Sequence, residues 1–502
     1  MAMNTSLSPI RDDRFDAAAA RHLLWRVGYG GGWAEVQRLA GLGLDAAVDE
    51  LVDYQAHATA DLPDPDLDPD VIRNATDEER RAAREARRNG EQAVLDQQRR
   101  DRMAARSKDR RMLGDLKRWW FERMVRTDRP AEDRLTLLWH GHFASSHRQV
   151  QDTYLMYRQH RLFRENANGS FADLARGVVR DPAMLKYLNN NRNNKRRPNE
   201  NLARELMELF TLGVGNYTER DIKEGARALT GYHLDDHDFV FRENQHDPGP
   251  KTILGRTAAY DGDLFVERLL AEKACSKFIA LKLYDHFVAD VGDVYDDVPR
   301  ERRHVIDNLA ARLRRRGYQL RPVLTTLFKS QHFYDPAVVG KKIKDPSQLL
   351  VGTIRTLGTP PRDARALDQA MRSLGMEFFA PPTVDGWDGG RNWINTSTLF
   401  VRQNLTTYLI SGRHQNKKFR PKNNGYDPAS NRSALGDGVD PTDPVAVTDR
   451  LLDTLVGSQV PPARRAPAHR FVADREPGKA LSKDGLIALL CLITAMPEYQ
   501  LC

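Results

Sequence analysis

At 502 residues, with 40% apolar and 29% charged side chains, the chain has enough apolar material to bury a large core. Its 77 basic and 69 acidic residues leave a formal charge of only +8, and the signs are interleaved, as in Glu78-Glu79-Arg80-Arg81, which argues against a nucleic-acid binder. Cys275, Cys491 and Cys502 form no disulfide framework or zinc spacing, the apolar run 486–496 is too short for a transmembrane span, and residues 1–12 lack the apolar core of a secretory signal, so a cytoplasmic protein is expected.

In chain order, residues 14–54 read as two helices joined by the glycine turn Gly28-Tyr29-Gly30-Gly31-Gly32. An acidic, proline-punctuated loop follows at 62–70, and residues 77–111 read as a highly charged helical arm or hairpin with few apolar positions. Leu116, Trp119, Trp120, Met124 and Val125 then form an apolar stripe that Pro130 ends. Residues 132–143 form the next helix, with Leu135, Leu138, Trp139 and His142 stacked at i, i+3, i+4 and i+7. Further helices are expected at 152–168 and 171–179.

The stretch from Pro198 to Gly213 predicts a helix with two distinct sides. Leu202, Leu206, Leu209 and Phe210 share one side, while Asn201, Arg204, Glu205 and Glu208 share the other. After a helix at 218–229, strand signals appear at 239–241 and 252–254, which predict one small β-ribbon. Helices resume at 263–270, 275–288, 300–315, 322–330, 345–358, 363–374 and 396–409. Residues 416–445 read as a polar loop or lid, and 486–496 as a buried C-terminal helix. The fold class is therefore mainly α: a multi-helix globular assembly with a small β-ribbon near residues 233–256. The chain divides into an N-terminal helical segment (1–60), the acidic loop and arm (61–115), a helical core (116–415), the polar loop (416–445) and a C-terminal helical segment (446–502).

Several segments carry residues able to do chemistry. His140 and His142 flank Gly141; on an unbroken helix they point about 200° apart, whereas a helix ending at Gly141 lets both rings converge on a metal or an acid–base site. The plain alternative is His142 packed in the apolar stripe. Glu205 and Glu208 form an i, i+3 carboxylate pair without the histidine of a di-iron site, and Arg204 is placed to pair with Glu208 on the surface. His246, Asp247 and Lys251 sit on a Gly/Pro-fixed loop that reads either as a binding loop or as a tight turn. Trp387 and Trp393, in a loop with Arg391, offer aromatic faces for a flat or sugar-like ligand, or else pin that loop. A G-x-S-x-G elbow, a phosphate-binding loop, a dinucleotide fingerprint and an H-E-x-x-H helix are absent from the sequence.

Taken together, several of these stretches are similar to one family. They are Arg21-His22-Leu23-Leu24, residues 135–143, residues 199–215, Ala226 to Gly231, His246-Asp247 with Lys251 to Gly255, and Pro381 to Trp393. The chain resembles the bacterial family catalogued as domain of unknown function 1800, collinearly over roughly residues 14–501. The resemblance implies no settled activity or cofactor. It does imply that relatives are often exported and often encoded beside a sulfatase-like family, which makes a sulfatase-like protein the candidate partner.

The expectation from these readings is an enzyme whose polar pocket gathers distant segments. His140, His142, Glu205, Glu208 and Arg204 would act in catalysis, with Asn201, His246, Asp247, Lys251, Trp387 and Arg391 on substrate. A divalent metal is the candidate cofactor, with His140, His142, Glu205 and His246 as candidate ligands. The expected reaction is hydrolysis of a saccharide or other polar polymer. The competing expectation is a binding or assembly protein in which the same residues form a structural network.

Overall fold

Apolar residues at helical spacing recur along almost the whole chain, and they fold as helices that bury those stripes against one another. The computed structural model describes residues 3–56, 62–360, 362–412, 435–458, 460–475 and 479–502. Residues 416–434 of the expected polar loop therefore lie outside the described residues. Among the described residues there are twenty-one α-helices and four short strands, a mainly α fold.

Helices α1 (Ala17–Val27) and α2 (Trp33–Val52) are joined by the glycine turn and pack on each other. The charged arm is a hairpin of α3 (Asp77–Asn89) and the first part of α4 (Gln92–Arg126), broken at Gly90 with φ 72°. Thr76 opens α3 with a capping box to Glu79, and the rest of the arm is mostly exposed. Its root is fixed by buried Asp109, which binds His147 Nε2 at 2.8 Å and the Thr153 amide at 2.7 Å. Beyond that root α4 turns apolar and buries Leu116, Trp120 and Met124, while Trp119 and Val125 are half-buried.

Helix α5 (Pro130–His142) is enclosed on every side: all its residues except Gly141 are buried. Ala131, Leu135, Leu138 and Trp139 join a core built with α1, α2 and the helices between 163 and 338. Leu137 joins a second core formed by α4, residues 349–410 and residues 435–499. Enclosure obliges the charged residues of α5 to find partners, because an unpaired buried charge is costly. Arg123 of α4 pairs with Glu132 and Asp133, and Trp120 Nε1 donates to Asp133 at 3.2 Å. Arg134 donates to Asp345 at 2.6 Å, and Asp345 also caps the helix Pro346–Leu357.

The β-structure is local. Strand β1 (Tyr232–Asp235) pairs antiparallel with β2 (Asp238–Phe241), and β3 (Lys251–Ile253) with β4 (Arg256–Ala258). The single ribbon expected between residues 239–241 and 252–254 is thus two separate hairpins. The reason is turn geometry: Leu254 (φ 47°) and Gly255 (φ 75°) form a two-residue turn with positive φ at both positions, which closes β3 onto its immediate neighbour.

Asp345 joins a helix cap to a buried ion pair. Burial pushes its carboxyl up, but Arg134, Ser347 and the Gln348 amide outweigh that and hold it at about 2. Asp345→Ala is expected to cost about 3–5 kcal/mol, the range for stranding one partner of a buried pair. Equilibrium urea unfolding at neutral pH measures it; a loss below about 1 kcal/mol, the size of a cap alone, would contradict the pairing argument.

Candidate functional site

The 201–211 helix begins as a regular α-helix (Asn201–Glu205) and continues as a wide π-helical turn (Leu206–Thr211). Thr211 Oγ1 donates to the Leu206 carbonyl at 2.6 Å, and the Leu212 amide reaches the Met207 carbonyl at 2.9 Å. Such turns are rare and recur at functional positions. Here Leu202, Ala203, Leu206, Met207 and Phe210 are buried, while Glu205 and Glu208 are left half-buried.

The carboxylates of this helix are differently held. Glu208 accepts a hydrogen bond from the Tyr217 hydroxyl. Glu205 accepts none among the described residues, and burial, with Glu208 and Asp385 close by, raises its pKa to about 7; Arg204 opposes the shift. Tyr187 belongs to the same neighbourhood, its hydroxyl pushed up by burial and then by Glu205 and Asp385. Arg204 does not pair with Glu208 as its spacing allows. It forks onto Glu219 at 2.8 and 2.9 Å and touches Glu200 at 3.2 Å, because the helix Glu219–Ala228 lies alongside. Its charge is thereby committed to surface ion pairs.

Asp385 reaches this neighbourhood on the 381–393 loop, which seats on the end of α5. Gly386 has φ 89°, and a Cβ built there would strike the Gly141 carbonyl oxygen. A Cβ on Gly141 would lie 3.5 Å from the Trp387 ring. The two glycines let the loop backbone lie on the helix.

The histidines do not converge. Helix α5 runs through Gly141 to His142 rather than ending between the two imidazoles, so they leave on different sides. His140 stacks on Trp120 with ring centroids 5.4 Å apart and also meets Phe379 and Trp387. His142 lies among Trp139, Phe143, Phe171 and Phe210, its Nε2 3.0 Å from the Phe210 carbonyl oxygen. Burial lowers His140 to about 4 and His142, with help from Lys282, to about 3, so both are neutral at pH 7. Instead of lining a cleft, they fill aromatic packing.

His246, Asp247 and Lys251 brace the loop between β2 and β3. His246 Nδ1 lies 2.8 Å from the Thr230 carbonyl oxygen, Arg227 donates to Asp247 at 2.7 Å, and Lys251 Nζ donates to the carbonyls of Asp247 and Gly249 at 2.6 and 3.0 Å. With all these bonds closed within residues 227–251, the tight-turn reading describes them. Asn201 is exposed, its amide bonded to Asn199 Oδ1 at 3.0 Å, and Arg391 is exposed on the turn Gly390–Trp393. Trp393 is buried, and its carbonyl accepts from Thr398 and Arg402. Trp387 is half-buried, with Nε1 enclosed and without a hydrogen-bond partner among the described residues. Among the described residues no group of three His, Cys, Asp or Glu side chains is gathered to hold a metal, so His140, His142, Glu205 and His246 do not form the expected ligand set.

What remains as a site is the half-buried group of Glu205, Glu208, Tyr187 and Tyr217, with the exposed Asp385 at its edge. The sequence pointed to the two glutamates; Tyr187, Tyr217 and Asp385 carry no spacing that links them to those glutamates. A family model described as a protein of unknown function (DUF1800) matches residues 22–501. The chain belongs to that family. No curated protein and no solved structure matches the chain. The DUF1800 match includes both halves of the site, the 201–211 helix and the 381–393 loop.

The Gly141–Gly386 contact is open to a direct test. Gly386→Ala combines a positive φ with a collision against backbone, and should cost about 2 kcal/mol or more. It should also free the 381–393 loop, read as faster limited proteolysis there. Gly389→Ala shares the positive φ (70°), but its Cβ would meet only the Trp387 carbonyl at 4.0 Å, so it isolates the collision and should raise the cleavage rate less.

Proposed function

We propose that this DUF1800 chain is a hydrolase whose proton donor is Glu205. The observation that carries the reading is a half-buried carboxyl raised to about 7 beside two further carboxylates, on a helix widened by a π turn. A group with that pKa is protonated in a large fraction of molecules at neutral pH, which suits a general acid. In the reaction, Glu205 gives its proton to the leaving oxygen as the scissile bond to it breaks. Water forms the new bond and loses its proton to a partner carboxylate, Glu208 or Asp385. Glu208, oriented by Tyr217, is the better held of the two. The chemistry fits a saccharide or other polar polymer, with Tyr187 and Trp387 as nearby aromatic surfaces. His140 and His142 take no part in this scheme, and it needs no metal ligand set.

The test is reducing-end release from a panel of soluble polysaccharides. Glu205→Gln should lower the rate about 100-fold or more, and the parent rate should fall as pH rises above about 7. Stability provides an independent readout. Because the folded pKa lies above the ordinary 4.5, the folded chain holds the proton more tightly, and stability falls as pH rises from about 4.5 through about 7. Glu205→Gln should therefore be more stable than the parent at pH 8 by about 1 kcal/mol, once solvent screening of a half-buried group is allowed for. Full activity in Glu205→Gln on a substrate the parent cleaves would end the proposal.

A second reading is favoured by the exposed α3–α4 hairpin. In it the protein is a non-enzymatic assembly factor, and the arm docks a partner, the sulfatase-like family being the candidate. Co-expression with such a protein should then give a complex that is lost when residues 77–107 are replaced by a short linker. A complex that survives the replacement would sink this reading.

A further inference from the structure

Far along the sequence from the carboxylate site, a cleft of about 500 Å³ opens between α1, Trp33, the 336–341 turn and residues 453–461. That volume is in the range of small-molecule sites. It shares no lining residue with the Glu205 group. Ala17, Ala18, Val339, Val456, Val460 and Pro461 supply apolar wall. The polar groups are unevenly satisfied. Of the cleft's acids, Asp453 is taken by Arg465 at 2.7 Å and Glu498 by Arg464 at 2.8 Å. Asp16 caps α1 through the Ala19 amide at 3.0 Å.

The cations of the cleft have no such partners. Arg21 donates from Nε to the Thr454 carbonyl at 2.8 Å and from Nη2 to the Leu455 carbonyl at 2.7 Å. Those two bonds fix the guanidinium plane and leave Nη1 undirected, and no carboxylate pairs with Arg21 or Lys341 among the described residues. Gly457 makes room for that end. It has φ 98°, and a Cβ there would come within 3.1 Å of Arg21 Nη1. Arg21 is thus a pre-oriented donor at the border of an apolar hollow, the arrangement that captures an anion with minimal loss of side-chain freedom.

We propose that this cleft binds a small organic anion with an apolar body, a carboxylate-bearing amphiphile whose head meets Arg21 and Lys341 and whose chain lies along Val339, Val456 and Val460. Burial lowers the Arg21 pKa only to about 10, so it stays cationic at neutral pH. Among the described residues neither Arg21 nor Lys341 has a carboxylate within ion-pair distance. Asp453 acts on Arg21 only through space and is held by Arg465, which it shares with Asp449, so the directed guanidinium edge is what selects a negative head group.

Isothermal titration calorimetry on the full chain, with octanoate and 1-octanol as probes, tests this. Octanoate should bind saturably and about tenfold or more tighter than octanol, which has the same chain and no charge. Arg21→Gln should remove most of that difference. Should Arg21→Gln fail to fold, since Arg21 also holds two helix-end carbonyls, Val339→Trp provides the second variant: it fills the cleft from a half-exposed position and should abolish octanoate binding. Three results would each overturn the proposal: no saturable heat up to about 10 mM octanoate, equal affinity for octanoate and octanol, or parental octanoate affinity in Val339→Trp.

Discussion

The enclosure of α5 is the constraint on which the rest of the structure rests. A helix buried on every face is ordinarily apolar all round, yet this one carries Glu132, Asp133 and Arg134. Glu132 and Asp133 share Arg123, and Arg134 reaches Asp345, so their pairing fixes where two neighbouring elements go. Arg123 orients α4, and Asp345 places the start of the helix Pro346–Leu357. The ion pairs are best understood as registration devices. Their net contribution to stability is small compared with the cost of breaking them, because desolvation offsets most of the attraction.

The candidate site is a by-product of that arrangement. Since α5 continues to His142, its two imidazoles are absorbed into aromatic packing on separate sides, and neither is left to titrate near neutrality. The C-terminal end of α5, at Gly141, then serves as a seat for the 381–393 loop, which brings Asp385 near the glutamates of the 201–211 helix. Within this group of residues Glu205 is the one raised to about 7, its partial burial and like-charged neighbours acting in the same direction.

Much of this was legible in the sequence where the signal is local. Helical spacing located the helix Arg300–Arg315 at its observed bounds, and the helix Asp363 caps within a residue. The two-sided reading of residues 201–210 matched the burial of Leu202, Leu206 and Phe210. What failed depended on information that a single chain does not display. The pairing of β3 with β4 turns on left-handed φ at Leu254, a residue type that seldom adopts it. The π turn has no propensity signature. The meeting of Gly141 with Gly386, and the diversion of Arg204 to Glu219, are set by tertiary packing between segments whose separation in sequence gives no hint of contact. The histidine expectation failed for a specific reason: one glycine within a strongly apolar stripe does not end a helix when both flanks are buried, since packing outweighs the roughly 1 kcal/mol it costs.

Because α5 gives side chains to both apolar cores, it has a consequence for how the molecule comes apart. Leu137 faces one core while Leu135, Leu138 and Trp139 face the other, so neither can melt without stripping a side of the same helix. The two halves are thermodynamically married: heating should produce one calorimetric transition, and an excised fragment ending near residue 340 would expose the vacated flank of α5 and aggregate instead of standing alone.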